Sequence, residues 1–381
     1  MAINYLYIDD DSTDRANGTV QGLKKGGYIE VFLSQPESTW EQQIQFIEDR
    51  QKEDKLDGLI IDLRLDDYAN TKDGKKANYR GTSLAQEIRT RQKEKSIKEF
   101  PIILFSANDK ITQSLENSGR NLFDVFIEKD SITSADIYIK EYIPKLIALA
   151  EGYRTINLSA ENLSKVLSID IGVVDERFVS ELNNLANNPS HVIANFLINE
   201  LLLKQGLLID EWTLAARLGV DIEQSSEDWK QVLSSLNEAL YKGVFYQGWK
   251  RWWMPIIEIW WNKTIHAETY LRATSASDRV EYIKKELKLT KICPSKKIQK
   301  SDSDEFWTVC KGYNRPLDPV DGLMIDRQEN LYPWQDPDYV SVEAALHRTN
   351  INIWKKVAKL EEERLKELQA QYRREREKKY E

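Results

Sequence analysis

The residues with the clearest chemical potential stand at the ends of short apolar runs. Leu59-Ile60-Ile61 is followed directly by a lone carboxylate, Asp62. This run is too short and too aliphatic for a surface helix, and it reads as a fully buried strand of a parallel sheet. Three other runs end in complementary groups: Tyr5-Leu6-Tyr7-Ile8 in Asp9-Asp10-Asp11, Pro101-Ile102-Ile103-Leu104-Phe105 in Ser106, and Val125-Phe126-Ile127 in Glu128-Lys129. In open α/β sheets ligand chemistry happens outside the carboxyl ends of the strands, so these groups are expected along one edge. A carboxylate can act as a nucleophile, acids can hold a hard divalent cation, and a lysine can neutralise an anion as a point charge. Together these types suit phosphoryl transfer, which needs positioning and electrostatics more than covalent work by the protein.

Alternating strands and helices must position them. Strands are expected at 4–8, Tyr28–Leu33, Leu59–Ile61, Ile102–Phe105 and Asp124–Ile127. Helices are expected from a Ser12-Thr13 cap to about Lys24, over Thr39–Glu53, over Thr82–Lys93, shortly after Asn108, and from Ser134 to about Tyr153. Such alternation gives a doubly wound, flavodoxin-like α/β domain with a five-stranded parallel sheet over residues 1–155.

An acid pair, a lone aspartate, a hydroxyl and a lysine, in that order on successive strands, resemble the receiver domain of a response regulator. The resemblance covers about 40% of the chain. It implies that Asp62 accepts a phosphoryl group from a histidine kinase. A divalent cation, Mg²⁺ or Mn²⁺, would be held by Asp10, Asp62 and the Arg64 main-chain carbonyl, with Asp9 acting through water. Lys129 would neutralise a phosphoryl oxygen, Ser106 would donate to another, and Ser106 with Phe126 would form the switch pair. Three departures stand out. An insert at 66–80 lies beside Asp62, Asp130 replaces the family's usual proline so that a cis bond there is not expected, and Glu128 and Asp130 flank Lys129 with negative charge.

Beyond residue 155 the chain is expected to be mostly helical, with a helical domain at 156–242, a tryptophan-rich helical and loop region at 243–340, and a long charged terminal helix at 341–381. Thr213–Val220 has the Ala-to-Gly spacing of a helix-turn-helix, which opens a transcription-factor reading near 211–230. The supposed reading helix, Asp221–Asp228, is acidic, and phosphates supply most of a DNA binder's affinity, so its charge argues against DNA. Ten of the eleven tryptophans lie between 212 and 354. Trp252-Trp253 and Trp260-Trp261, with Ile256 and Ile257 between, fit one helix buried on much of its surface. The tryptophans suit either a tryptophan-rich core or, at Trp249, Trp252 and Trp253, a surface for a protein partner or a second copy of the chain. Turn formation is the simpler reading of Asp318, Asp321 and Asp326, and an ordinary first-turn residue that of His191.

The bulk properties are consistent with this. The chain has 381 residues, 41% hydrophobic and 30% charged, with net charge −8 and mean hydropathy −0.57. No run approaches the ~20 apolar residues of a membrane span, the start shows no signal-peptide pattern, and Cys293 and Cys310 can build no disulfide framework. A cytoplasmic response regulator signalling through its C-terminal region, by protein contact or self-association, is therefore expected. The rival is a receiver with no output of its own, buffering a kinase as the stand-alone receivers of bacterial anti-phage (antiviral defense) systems do. The expected chemistry is self-phosphorylation and autodephosphorylation of the receiver, the alternative being an effector enzyme within residues 243–340 that uses Asp318 or Asp321.

Overall fold

A computed structural model describes residues 3–11, 13–53, 55–68, 74–106, 117–129, 132, 134, 136–328 and 330–377. The chain divides into two compact units. One comprises Met1–Ile171, Val179–Asn199 and Lys242–Trp249; the other comprises Gly172–Phe178, Glu200–Tyr241 and Lys250–Glu381. The first thus runs past residue 155 and takes back two later segments.

In the first unit, β1 (Ile3–Ile8), β2 (Ile29–Ser34), β3 (Gly58–Ile61), β4 (Ile102–Ser106) and β5 (Val125–Glu128) form one parallel sheet in the order β2-β1-β3-β4-β5. This is the flavodoxin-like order, and the reversal between β1 and β3 opens a crevice at their carboxyl ends. Ile8 pairs with Ile61, so Asp9 and Asp62 leave the sheet side by side. All four residues of β3 are buried, as expected of a strand covered on both faces.

The covering helices are α1 (Thr13–Leu23), α2 (Trp40–Lys52), α3 (Gly81–Lys93), the short α4 (Asn117–Arg120) and α5 (Ile143–Ser159), the last entered through a wide turn at Tyr138–Tyr142. Helix α2 starts where the sequence implies: Thr39 and Gln42 form a reciprocal capping box. Ile44 and Ile47 of α2 and Leu84, Ala85 and Ile88 of α3 share one core with Leu59, Ile61 and Leu104 of the sheet. The helix expected shortly after Asn108 falls largely outside the described residues, as do the Ser12 cap and Asp130.

The amino-terminal edge of the sheet is fastened by a buried polar cluster. Arg89 Nη2 donates to Asp124 Oδ2 at 2.8 Å, and the same oxygen accepts the Ile102 N–H at 2.7 Å. The Tyr153 hydroxyl donates to Asp124 Oδ1 at 2.5 Å, and the guanidinium also donates to the carbonyls of Phe100 and Leu122. A buried ion pair is tolerable when its remaining donors and acceptors are satisfied in this way. It ties α3, β4, β5 and α5 together at the edge away from Asp62.

The second unit is built on tryptophan. Trp229, Trp252, Trp260 and Trp261 share a core with Leu214, Val232, Ile257 and Ile283. Trp252 and Trp253 are each 1% exposed and form a two-residue strand against Leu208–Ile209. The helix expected to carry them instead begins at Met254, with Pro255 in its first turn, where a missing N–H costs nothing. These two tryptophans, and Trp249 in the first unit, are therefore core residues rather than the expected partner surface. The helix Glu211–Leu218 buries Thr213 through Leu218 within the unit, so that face is used for packing.

The terminal helix is shorter than expected. The Val342–His347 helix ends on a left-handed Arg348, Ile351–Trp354 forms one turn, and Lys355 at φ 56° breaks the run. Val357 then bridges Ile325 as extended chain, and the charged helix runs over Glu362–Glu377. Among the described residues, no helix is long and apolar enough to cross a membrane.

Candidate functional site

The β1/β3 crevice gathers the acids. Asp9, Asp10 and Asp62 are 2%, 3% and 4% exposed, and their carboxylate oxygens lie within 4.8 Å of one another. Three like charges so confined require compensation. Lys129, immediately after β5, supplies part of it: Nζ lies 2.8 Å from Asp9 Oδ2 and 2.9 Å from Asp62 Oδ1. Main-chain N–H groups supply more. Asp11 donates to Asp9 Oδ1 at 2.9 Å and Arg64 to Asp62 Oδ2 at 2.9 Å. Asp67 and Tyr68 donate to Asp10 Oδ2 at 2.8 and 2.9 Å.

Each placement has a local cause. Lys129 reaches the acids because β5 pairs with β4 in a register that sets Glu128 opposite Ser106. Asp62 is held from behind by the start of α3: a Cβ on Gly81 would stand 2.2 Å from the Asp62 carbonyl oxygen, so only glycine admits this approach. Leu63 accepts the Gly81 N–H at 3.0 Å, completing the fit.

The titration behaviour follows from burial and charge. Burial pushes the Asp10 carboxyl up to about 6; the neighbouring Asp62 and Asp9 add to this, while the N–H groups of Tyr68 and Asp67 oppose it. Burial also raises Asp62, against the pull of Lys129. For Lys129 burial opposes the charge, but Asp62 and Asp9 outweigh it and hold the ammonium above its usual range.

Ser106 is fully buried at the end of β4, and its hydroxyl has no hydrogen-bond partner among the described residues. Phe126 does not face the acids; it is 36% exposed and meets Phe123 edge-on at 5.9 Å. The structure thus brings together five of the side chains expected at the site, Asp9, Asp10, Asp62, Lys129 and Ser106, with the Arg64 main chain bound to one of them. Phe126 stands on the outer face of β5, and Trp249, Trp252 and Trp253 lie in cores.

Two components were not read from the sequence. The Tyr7 hydroxyl donates to Asp9 Oδ2, the oxygen that Lys129 also contacts. The period of a strand carried that signal, since residues 7 and 9 share a face. The other is the start of the insert. Arg64 pairs with Asp66 at 2.8 Å and Asp67 at 2.7 Å, and Arg80 reaches Asp66 at 3.3 Å. Residues 69–73 of the insert are outside the described set.

A buried set of hard carboxylate oxygens, with few ligands and room for others, suits Mg²⁺ or Mn²⁺ better than a softer metal. The donor chemistry of Asp9, Asp10 and Asp62 therefore fits the cation that the receiver resemblance implies.

No family model matches the chain, and no curated protein does. Among solved structures it is similar to an adenylate cyclase from Rhodopirellula baltica, with 17% identity over 37% of this chain and 89% of that one, at a TM-score of 0.25. It is similar to the complex of the histidine phosphotransfer protein Ypd1 with the receiver domain of Ssk1 from Saccharomyces cerevisiae, with 13% identity, 39% and 89% coverage and a TM-score of 0.27. The receiver domain of the histidine kinase CKI1 from Arabidopsis thaliana gives 19% identity, 34% and 83% coverage and a TM-score of 0.25. Strand order and edge placement, rather than these distant likenesses, define the architecture: a flavodoxin-like parallel sheet with an acidic centre at its switch point.

Proposed function

We propose that the chain is a cytoplasmic response regulator of a two-component system, with Asp62 as the phosphoacceptor. The observation that carries this reading is the convergence of Asp9, Asp10, Asp62, Lys129 and a Ser106 hydroxyl without a partner among the described residues at the carboxyl edge of one parallel sheet. A carboxylate oxygen of Asp62 attacks the phosphorus of a phosphohistidine on a partner kinase or phosphotransfer protein. The new P–O bond forms as the P–N bond breaks, and the imidazole leaves with the electron pair and takes up a proton.

Asp10, Asp62 and the Arg64 carbonyl, with Asp9 through water, would hold Mg²⁺ or Mn²⁺, which would supply positive charge to offset the repulsion between the Asp62 carboxylate and an incoming anion. The remaining work belongs to this chain. Lys129 turns from Asp62, and in part from Asp9, to a phosphoryl oxygen, keeping a charge-assisted bond throughout. The Ser106 hydroxyl donates to another phosphoryl oxygen. Burial of all three acids keeps water scarce around the acyl phosphate.

The output runs through the second unit by contact with a protein partner or a second copy of the chain. Because the clustered tryptophans form its core, that contact uses other surface. The test is phosphorylation of the purified protein by acetyl phosphate and Mg²⁺, resolved on a phosphate-affinity gel beside Asp62→Ala, with size-exclusion chromatography of both states. A retarded band absent from Asp62→Ala supports the reading, and a phosphorylation-dependent size change assigns the output to self-association. No retarded band with acetyl phosphate or a kinase refutes it.

A further inference from the structure

We infer that Tyr7 is a positioning residue for the cation and for Lys129, acting through Asp9. The inference rests on the phosphoacceptor reading above and deepens it. Tyr7 is the penultimate residue of β1, fully buried, with its ring edge-on to Phe105 at 5.7 Å. Its hydroxyl donates to Asp9 Oδ2. The same oxygen accepts from Lys129 Nζ at 2.8 Å, while Asp9 Oδ1 accepts the Asp11 N–H at 2.9 Å. Asp9 is 2% exposed, so water cannot readily replace a lost donor.

This arrangement bears on the one movement the reaction requires. Lys129 is shared between Asp9 and Asp62. When it turns to a phosphoryl oxygen, its bond to Asp9 weakens and a buried carboxylate would be left short of a donor. The Tyr7 hydroxyl stays with Asp9 through that movement. It also fixes the orientation of Asp9, as outer partners of metal-binding carboxylates do, and removing such a partner typically weakens metal affinity about 10–100-fold.

Tyr5 provides an internal control. It is on the same strand and equally buried, but its hydroxyl donates to the Leu146 carbonyl at 2.7 Å, away from the acids. Removing either hydroxyl strips one buried hydrogen bond from β1, but only Tyr7 bears on the site.

The experiment titrates the full-length protein with Mg²⁺ without phosphodonor, following intrinsic tryptophan and tyrosine fluorescence or calorimetry. It compares wild type, Tyr7→Phe, Tyr5→Phe, Asp9→Asn and the Tyr7→Phe/Asp9→Asn double variant. Tyr7→Phe is expected to weaken Mg²⁺ binding about 10-fold, Tyr5→Phe to leave it within about 2-fold, and the double variant to bind no more weakly than Asp9→Asn alone. If Tyr7→Phe does not fold, the ¹³Cζ resonance of Tyr7 in the wild type serves instead, and it should move with the Mg²⁺ titration. An unchanged affinity in folded Tyr7→Phe, equal losses in Tyr5→Phe and Tyr7→Phe, or a stationary Tyr7 resonance overturns the inference. If wild type binds Mg²⁺ and takes a phosphoryl group in those cases, only the role of Tyr7 falls. A wild type that does neither removes the phosphoacceptor reading as well.

Discussion

Replacing Lys129 by methionine removes one positive charge from the acidic centre and keeps most of the stem that passes the Phe105 ring. The ammonium lies 2.8 Å from Asp9 and 2.9 Å from Asp62, each of them nearly inaccessible, while Lys129 itself is 28% exposed. Removing one partner of a fully buried pair costs about 3–5 kcal/mol. Partial exposure of Lys129 admits screening, and Asp62, already raised by burial, can take up a proton instead of standing as an unpaired anion. Both effects place the loss at the lower end, about 2–3 kcal/mol at neutral pH. At roughly 2–4 °C per kcal/mol for a unit of this size, the melting temperature in EDTA should fall by about 5–10 °C.

Mg²⁺ should reverse much of this. The cation restores positive charge among the same acids, so the gain in melting temperature on adding Mg²⁺ should be larger in Lys129→Met than in wild type. Phosphorylation by acetyl phosphate should nevertheless remain slow in the variant, because the charge that meets the phosphoryl oxygen is gone. The sign for the lysine agrees with this at pH 7. Its ammonium is held above its ordinary value, so its contribution to stability is complete below that value and is lost only as pH rises through the raised one. Thermal unfolding by circular dichroism, with and without Mg²⁺, gives the comparison. An EDTA melting temperature equal to that of wild type, or an equal Mg²⁺ increment in both proteins, would refute the electrostatic account.

Two further perturbations test other parts of the site. Gly81→Ala would set a methyl 2.2 Å from the Asp62 carbonyl oxygen, a clash with backbone that cannot swing aside. Strain of about 1–3 kcal/mol is expected, with a lower denaturant midpoint and slowed phosphorylation, and a variant matching wild type in both would show that the α3 start does not hold Asp62. Asp10 supplies the pH dependence. Burial pushes its carboxyl up to about 6, so the folded protein keeps that proton where an unfolded chain has released it, and the stability this contributes fades as pH rises through about 6. Mg²⁺ requires the carboxylate, so its affinity should weaken about tenfold per unit as pH falls below 6. An Mg²⁺ dissociation constant that stays flat between pH 7.5 and 5, measured by calorimetry, would exclude Asp10 as the ligand that governs binding.

How much was legible in the sequence depended on whether local pattern or distant contact decides a residue's place. The five strands were legible because burial on both faces forces unbroken aliphatic runs, as in Leu59-Ile60-Ile61, and their carboxyl ends then fixed where Asp9, Asp62, Ser106 and Lys129 had to lie. The Tyr7 contact with Asp9 was within reach of strand periodicity. The amides of Asp67 and Tyr68 on Asp10 were not, because they depend on how an insert folds back over 57 and 58 residues of separation. In the second unit periodicity misled. Trp252-Trp253 looked like the start of one helix with Trp260-Trp261, yet the chain pairs them with Leu208–Ile209, a contact no local signal announces. The long charged terminal helix is present over Glu362–Glu377, but its start was misread similarly: Ile351, Trp354 and Val357 keep helical spacing, yet a left-handed Arg348 and the break at Lys355 let Val357 bridge Ile325.

The two ends of the sheet divide the demands on the first unit. At the amino-terminal edge, Arg89, Asp124 and Tyr153 satisfy one another and the Ile102 and Phe100 main chain, so the charges there are matched and fixed. At the carboxyl edge three buried acids meet one lysine, and a buried hydroxyl on Ser106 has no partner among the described residues. Matched charge is a fastening; unmatched charge leaves binding free energy to be gained from a cation and an anionic group. The excess of two carboxylates over the lysine would favour a divalent cation, and with one bound Lys129 and Ser106 would be the donors left for a phosphoryl group. The imbalance that costs stability in the resting protein is thus the same imbalance that a cation and a phosphoryl group would relieve, which is why Asp62 is proposed as the phosphoacceptor.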